Sequence, residues 1–189
     1  RLALTDASSA QVRVLELDTD QTIASVNAHR ASPALYTSPG GRYALLTQGE
    51  ANRVQILDGG LWQEDHGDHL HDYRAAPRLL DADITGPTPG HYQDHASVGA
   101  LFMEGNSSSN APVSVHRVTD ASLASATPSS AFEAGPAVHG LAEPRGNYML
   151  VSARSDDAPT ALPNHIDLYQ QTAHKQWALV KRMEVDCPG

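Results

Sequence analysis

Four times along this chain one short pattern returns: an apolar strand, a polar turn, then a second apolar strand. Leu2-Ala3-Leu4-Thr5 leads through a turn to Val12-Arg13-Val14, and Ala44-Leu45-Leu46-Thr47 leads to Val54-Gln55-Ile56. Ala100-Leu101-Phe102 with Val113-Ser114-Val115, and Met149-Leu150-Val151 with Ile166-Asp167-Leu168, complete the series. Such a unit cannot bury its faces alone, so copies of it must stack, and a spacing of roughly 40 to 55 residues is the length of one four-stranded propeller blade. The expected fold is therefore all-β: a β-propeller segment of about four blades, half of a seven- or eight-bladed ring, as one domain over residues 1–189. About four blades leave two raw edges, so the remaining half of the propeller is expected from elsewhere, as a separate or cleaved segment. An ordinary β-sandwich is the competing architecture.

Turn chemistry supports the strand reading. Asp18-Thr19-Asp20-Gln21, Ser38-Pro39-Gly40-Gly41, Gly49-Glu50-Ala51-Asn52 and Ser155-Asp156-Asp157 punctuate the apolar runs. Strands are expected near 43–47, 53–57, 98–104, 112–118, 147–153 and 165–169, with another from Trp177 to Val180. Residues 121–131 are rich in Ala and Ser but lack a sustained apolar face, so no helix is expected there.

Charge and composition narrow the partners. A net charge of −9 argues against nucleic acid or an anionic membrane and favours a cation or a basic surface, with plain solubility as the alternative. No apolar run approaches the ~20 residues that span a bilayer. The single cysteine, Cys187, cannot close an internal disulfide or build a thiolate zinc site. No signal peptide precedes Arg1, and the chain starts directly in an apolar alternation. Both ends read as cuts within a larger fold, with a disulfide partner for Cys187 expected beyond Gly189.

The chemistry is concentrated in Trp62-Gln63-Glu64-Asp65-His66-Gly67-Asp68-His69-Leu70-His71-Asp72-Tyr73, where three of ten histidines lie among four carboxylates. Imidazole nitrogen and carboxylate oxygen are ligands that a borderline cation such as zinc accepts. The segment 62–73 is expected as a His/Asp-rich loop hanging from the propeller after Gly59-Gly60. In a uniform strand His69 and His71 share a face with Asp65 and Gly67, while His66 and Asp68 fall on the other. A left-handed Gly67 could swing His66 round. The expected loop site is His66, His69 and His71 with help from Asp65 or Asp68; a solvated charged loop is the plain alternative.

A second set is spread over the repeats. His91, in Pro89-Gly90-His91, and His139, in Ala137-Val138-His139-Gly140, stand seven and nine residues before the strands at Val98 and Tyr148. The strand that opens each propeller blade lines the central channel, so histidines there can converge on one point. A channel-side site would use His91 and His139, with His95 a possible third. His29, His116 and His174 stand alone and read as surface or strand-face residues.

Taken together, the run 62–73, Pro89-Gly90-His91, Val138-His139-Gly140 and Cys187-Pro188-Gly189 resemble the AztD family along essentially the whole chain. Those are periplasmic zinc metallochaperones that serve a zinc ABC importer. The resemblance implies a β-propeller of around twice this length, Zn2+ bound through histidine and carboxylate, and delivery to a periplasmic solute-binding protein. Family members continue past the Cys-Pro segment with further histidines and a second cysteine.

Three functions compete on these residues. A zinc chaperone needs reversible binding and no general base. A metal-dependent hydrolase needs an open coordination position, a cleft, and a base such as Glu64 or Asp65. An interaction module would carry the histidines incidentally. The local His/Asp run favours the first, a non-enzymatic protein, because it resembles an accessible loading site more than a buried catalytic centre.

Overall fold

Leu45 and Leu46 are neighbours in sequence, point to opposite faces of a strand, and are both fully buried. That combination requires cover on both sides of the sheet, and the stacked sheets supply it. The computed structural model describes residues 1–6, 8–31, 33–48, 53–85, 89–95, 98–103, 113–126, 130–134, 137–142, 147–153, 164–173 and 176–185.

The first blade is β1 (Leu2–Thr5), β2 (Gln11–Glu16) and β3 (Gln21–Asn27), paired in that order. The second runs β4 (Ala34–Thr37), β5 (Tyr43–Gln48) and β6 (Arg53–Asp58). From β6 the chain leaves into a separate two-stranded hairpin, β7 (Leu61–Asp65) and β8 (Leu70–Arg74). It then returns to β6 in two short pieces, β9 (Arg78–Leu79) and β10 (Ile84–Thr85). The third blade is β11 (Pro89–His95), β12 (Val98–Met103), β13 (Val113–Val118) and, after the short helix α1 (Asp120–Ala124), β14 (Ser130–Ala134). The fourth is β15 (Ala137–Ala142), β16 (Tyr148–Ala153), β17 (His165–Gln171) and β18 (Trp177–Glu184). Every pairing is antiparallel.

Two apolar layers join the first three blades. Val12 and Val14 of the first meet Leu46 and Leu57 of the second, while Leu45, Val54 and Ile56 on the other face meet Val118 and Leu123 beside the third. Burying each such side chain stabilises the fold by about 1.5–3 kcal/mol relative to exposure. The strands that open successive blades adjoin, β1 against β4 and β11 against β15. In the fourth blade Met149 and Val151 are buried, yet Tyr148 and Leu150 on the opposite face of β16 stay more than a third exposed. The chain is thus a partial propeller of four blades, as the repeat implies.

Two local readings are corrected. Residues 120–124 are helical although they lack an amphipathic period, because a reciprocal cap starts the turn: Ser122 N donates to Thr119 Oγ1 and Thr119 N donates to Ser122 Oγ. Residues 62–73 are mostly strand, not loop. Cross-strand pairs Trp62–Tyr73, Gln63–Asp72 and Glu64–His71 hold them as a hairpin.

Candidate metal centre

The hairpin register decides what the histidines can do together. Glu64 pairs with His71 and Asp65 with Leu70, and His66 N donates to His69 O at 3.0 Å. Only Gly67 and Asp68 remain for the turn. Gly67 sits at φ +90, the left-handed conformation that a two-residue hairpin turn with glycine first requires. A turn of two residues puts cross-strand partners on one face, so His66, His69 and His71 lie on the same side, with Trp62, Glu64 and Tyr73. The segment is therefore not a uniform strand: a left-handed Gly67 brings His66 to the face of His69 and His71.

The three imidazoles are in ring contact. Their centroids are 5.5 Å apart for His66–His69, 4.9 Å for His66–His71 and 4.6 Å for His69–His71. His69 Nδ1 lies 2.6 Å from Asp68 Oδ1, and the tautomer donating there leaves the Nε2 lone pair for a cation. Asp68 thus orients the His69 ring. Asp65 lies on the opposite face of the hairpin, where its Oδ1 accepts from Gly67 N at 2.7 Å and stabilises the turn. Glu64, which only the hydrolase reading used, is on the histidine face; its Oε1 accepts from Trp62 Nε1 at 2.9 Å. Tyr73 Oη stands 3.5 Å from His66 Nε2. The register is the signal that would have found both.

Among the described residues, no three His, Cys, Asp or Glu side chains are already arranged around one point as a metal site. The rings pack as neighbours, whereas zinc at ~2.0–2.1 Å from each nitrogen needs them opened around a common centre with nitrogens about 3.3 Å apart. The donor set nevertheless fits a borderline cation: three neutral-capable imidazoles on one exposed face, an orienting carboxylate, and Glu64 in reach as an oxygen ligand.

His91 and His139 lie on β11 and β15, the opening strands of adjoining blades, as the repeat predicts. Each is at a pairing irregularity, between Pro89 and Tyr92 in one strand and between Ala137 and His139 in the other. His95 pairs with Val98 at the far end of β11, roughly 13 Å along the strand from His91. Cys187 and His174 lie outside the described residues. His29 is exposed beside Asp83, Nε2 to Oδ2 3.0 Å. His165, given no role from sequence, is buried in the fourth blade beside Asp167, which Arg182 holds through two hydrogen bonds of 2.8 Å.

The root of the hairpin is held from two sides. Arg1 Nη1 donates to the carbonyls of Gly59, Gly60 and Ala75 at 2.8, 3.1 and 2.7 Å, and Glu16 holds Arg1 Nε at 3.1 Å. Arg42 donates to Asp58 through Nε at 3.2 Å and Nη2 at 2.8 Å, and Asp58 Oδ1 also accepts from Gly60 N at 2.8 Å. Gly60 has φ +69, and a Cβ there would meet the Ala75 carbonyl oxygen, so only glycine suits this exit. Burial pushes the Asp58 carboxyl up, but the hydrogen bonds from Arg42 and Gly60 outweigh it and hold it below its usual value. A carboxylate depressed in the folded state stabilises fully above its unfolded value, about 4, and that contribution disappears as pH falls through the folded value. Asp58→Asn is expected to lower stability at neutral pH and to flatten the loss of stability below about pH 4. Chemical denaturation of both proteins across pH 2–7 checks this; parallel curves would refute the role given to Asp58.

No protein-family model matches the chain. It is 27% identical over 163 residues to the zinc chaperone AztD of Citrobacter koseri, covering 86% of this chain and 37% of that protein. The crystal structure of Citrobacter koseri AztD superposes with a TM-score of 0.68 at 19% identity, covering 99% of this chain and 57% of that one. A putative 6-phosphogluconolactonase from Bacteroides fragilis matches with a TM-score of 0.53 at 16% identity, over 97% of this chain and 51% of that one. The chain thus spans well under two thirds of the length of these proteins. It resembles a part of the zinc chaperone AztD in sequence and in propeller fold.

Proposed function

We propose that this chain is part of a zinc metallochaperone that loads Zn2+ on the β7–β8 hairpin and delivers it to a periplasmic zinc-binding receptor of an ABC importer. The observation that carries the reading is the gathering of His66, His69 and His71 on one exposed hairpin face. Their rings are close enough that side-chain rotation, a fast motion for exposed residues, opens them around an ion without moving the backbone. Glu64, and Asp68 through His69, complete the local donor set. Histidines 91 and 139, with His95, are proposed as a second, channel-side set. The AztD resemblance supplies the metal, the periplasmic setting and the partner; the residues supply a site that can accept and release a cation.

Binding should weaken as pH falls, because protons compete for the imidazole nitrogens. A hydrolase on the same scaffold is the second reading, favoured by the fold shared with the lactonase. It requires a pocket that positions substrate beside the metal, and the hairpin face is open to solvent. Zinc titration of this chain, paired with lactonase, esterase and phosphatase assays of the loaded protein, tests the two. Stoichiometric zinc without turnover is expected; zinc-dependent hydrolysis lost with the histidines would replace the chaperone reading.

A further inference from the structure

Between the second blade and the histidine face runs a continuous series of planar groups in contact, face to face or edge to face. It begins at Asp58, a buried carboxylate that grips the Nε/Nη2 edge of the Arg42 guanidinium at two points. A two-point grip fixes the plane of the guanidinium as well as its position. The guanidinium carbon lies over two rings: Arg42 Cζ is 5.1 Å from the centroid of buried Tyr43 and 3.9 Å from that of Trp62. Trp62 is stacked on Tyr73, centroids 5.2 Å apart and planes inclined by 9°. Tyr73 meets His71 edge-on at 6.0 Å, and His71 touches both other imidazoles.

We propose that Arg42 is a positioning residue for the histidine face. The inference rests on the metal reading of the hairpin and deepens it. A two-stranded hairpin is marginal by itself, and among the described residues this one pairs with no other sheet. Its main-chain anchors, Arg1 and Gly60, lie at the root and fix where the hairpin leaves the blade. They do not fix its roll about its own long axis. The guanidinium of Arg42 over the face of Trp62 does, because tilting the ring away from the cation breaks that contact. Trp62 and Tyr73 are a cross-strand pair on the same face as the three imidazoles, so fixing the roll of that pair fixes the direction in which all three histidines point. The same carboxylate of Asp58 holds Arg42 and Gly60 N, which ties the roll to the exit point.

Arg42→Lys keeps the charge but removes the plate and the two-point grip. In the metal-free variant, amide exchange of residues 61–74 should speed up about fivefold or more, while β-sheet circular dichroism stays unchanged. Hairpin affinity for Zn2+, measured against a chromophoric chelator, should fall about tenfold with unchanged stoichiometry, in keeping with loss of a largely desolvated cation–π contact. Unchanged affinity overturns the proposal, whether or not exchange changes, because the mount would then hold the hairpin without serving the histidines. Should Arg42→Lys not fold, Trp62→Leu makes the same measurement, since it removes the aromatic partner and leaves the half-buried Arg42–Asp58 pair in place. His69→Ala/His71→Ala distinguishes the two possible failures. Loss of zinc there with full affinity in Arg42→Lys removes only the positioning role; wild-type zinc binding there removes the metal reading and this inference with it.

Discussion

Replacing His69 and His71 together by alanine is expected to abolish zinc binding at the hairpin while leaving the blades intact. Both residues are exposed, and neither joins the apolar layers that hold the first three blades together. Removing them leaves His66, Glu64 and Asp68, of which only one is an imidazole. Losing a group that merely orients a metal ligand costs about 10–100-fold in affinity, so losing two ligands should exceed the upper figure. Zinc titration followed by calorimetry, with the thermal unfolding midpoint as control, reads the result directly. Loss of one zinc equivalent with an unchanged midpoint is the expected outcome. Unaltered stoichiometry and affinity would place the zinc elsewhere, with His91 and His139 the next residues to replace. Asp65→Asn separates ligand from turn support: Asp65 lies on the other face, so its replacement should loosen the turn at Gly67 and affect zinc far less than the histidine pair.

The blades could be read from sequence because burial on both faces erases polar alternation. Leu45-Leu46 and Ile56-Leu57 are consecutive apolar pairs for that reason, each giving one residue to either apolar layer. Outer and opening strands were harder. β3 carries Gln21, Thr22, Ser25 and Asn27, and β11 is Pro-Gly-His-Tyr-Gln-Asp-His, neither of which shows an apolar period. Their identity comes from pairing across the sheet, which is not local information. The candidate site was legible as a list of residues and illegible as a geometry. Whether His66 joins His69 and His71 depends on the number of residues in the turn, since an odd and an even turn give opposite faces. The Arg42–Asp58–Trp62 contact left no trace in the sequence pattern, because Arg42 reads there only as a turn-flanking charge. It arises from β5, β6 and the hairpin being brought together.

Direct contact with the receptor should move zinc at least tenfold faster than release into water and recapture. A tight site releases its ion slowly: with association at ~10⁸ M⁻¹s⁻¹ and a picomolar dissociation constant, escape proceeds at on the order of 10⁻⁴ s⁻¹, a lifetime of hours. Delivery on a useful timescale therefore needs incoming ligands to engage before the outgoing ones let go, so that the ion is never bare. The hairpin suits such an exchange. Its three imidazoles and Glu64 share one solvent-facing side, so a partner's histidines can approach the ion from above while the hairpin retains it from below. A closed four-ligand site in the propeller interior could not be approached that way without opening. The net charge of −9 raises the local cation concentration and adds no barrier to a basic contact surface. The measurement compares zinc arrival at the metal-free receptor with both proteins in one compartment and with a dialysis membrane between them. A rate that rises with receptor concentration in the mixed arrangement, and falls at least tenfold across the membrane, is the signature of ligand exchange in a complex. Equal rates in both arrangements would make this protein a zinc buffer, with the hairpin a storage site that the receptor never touches.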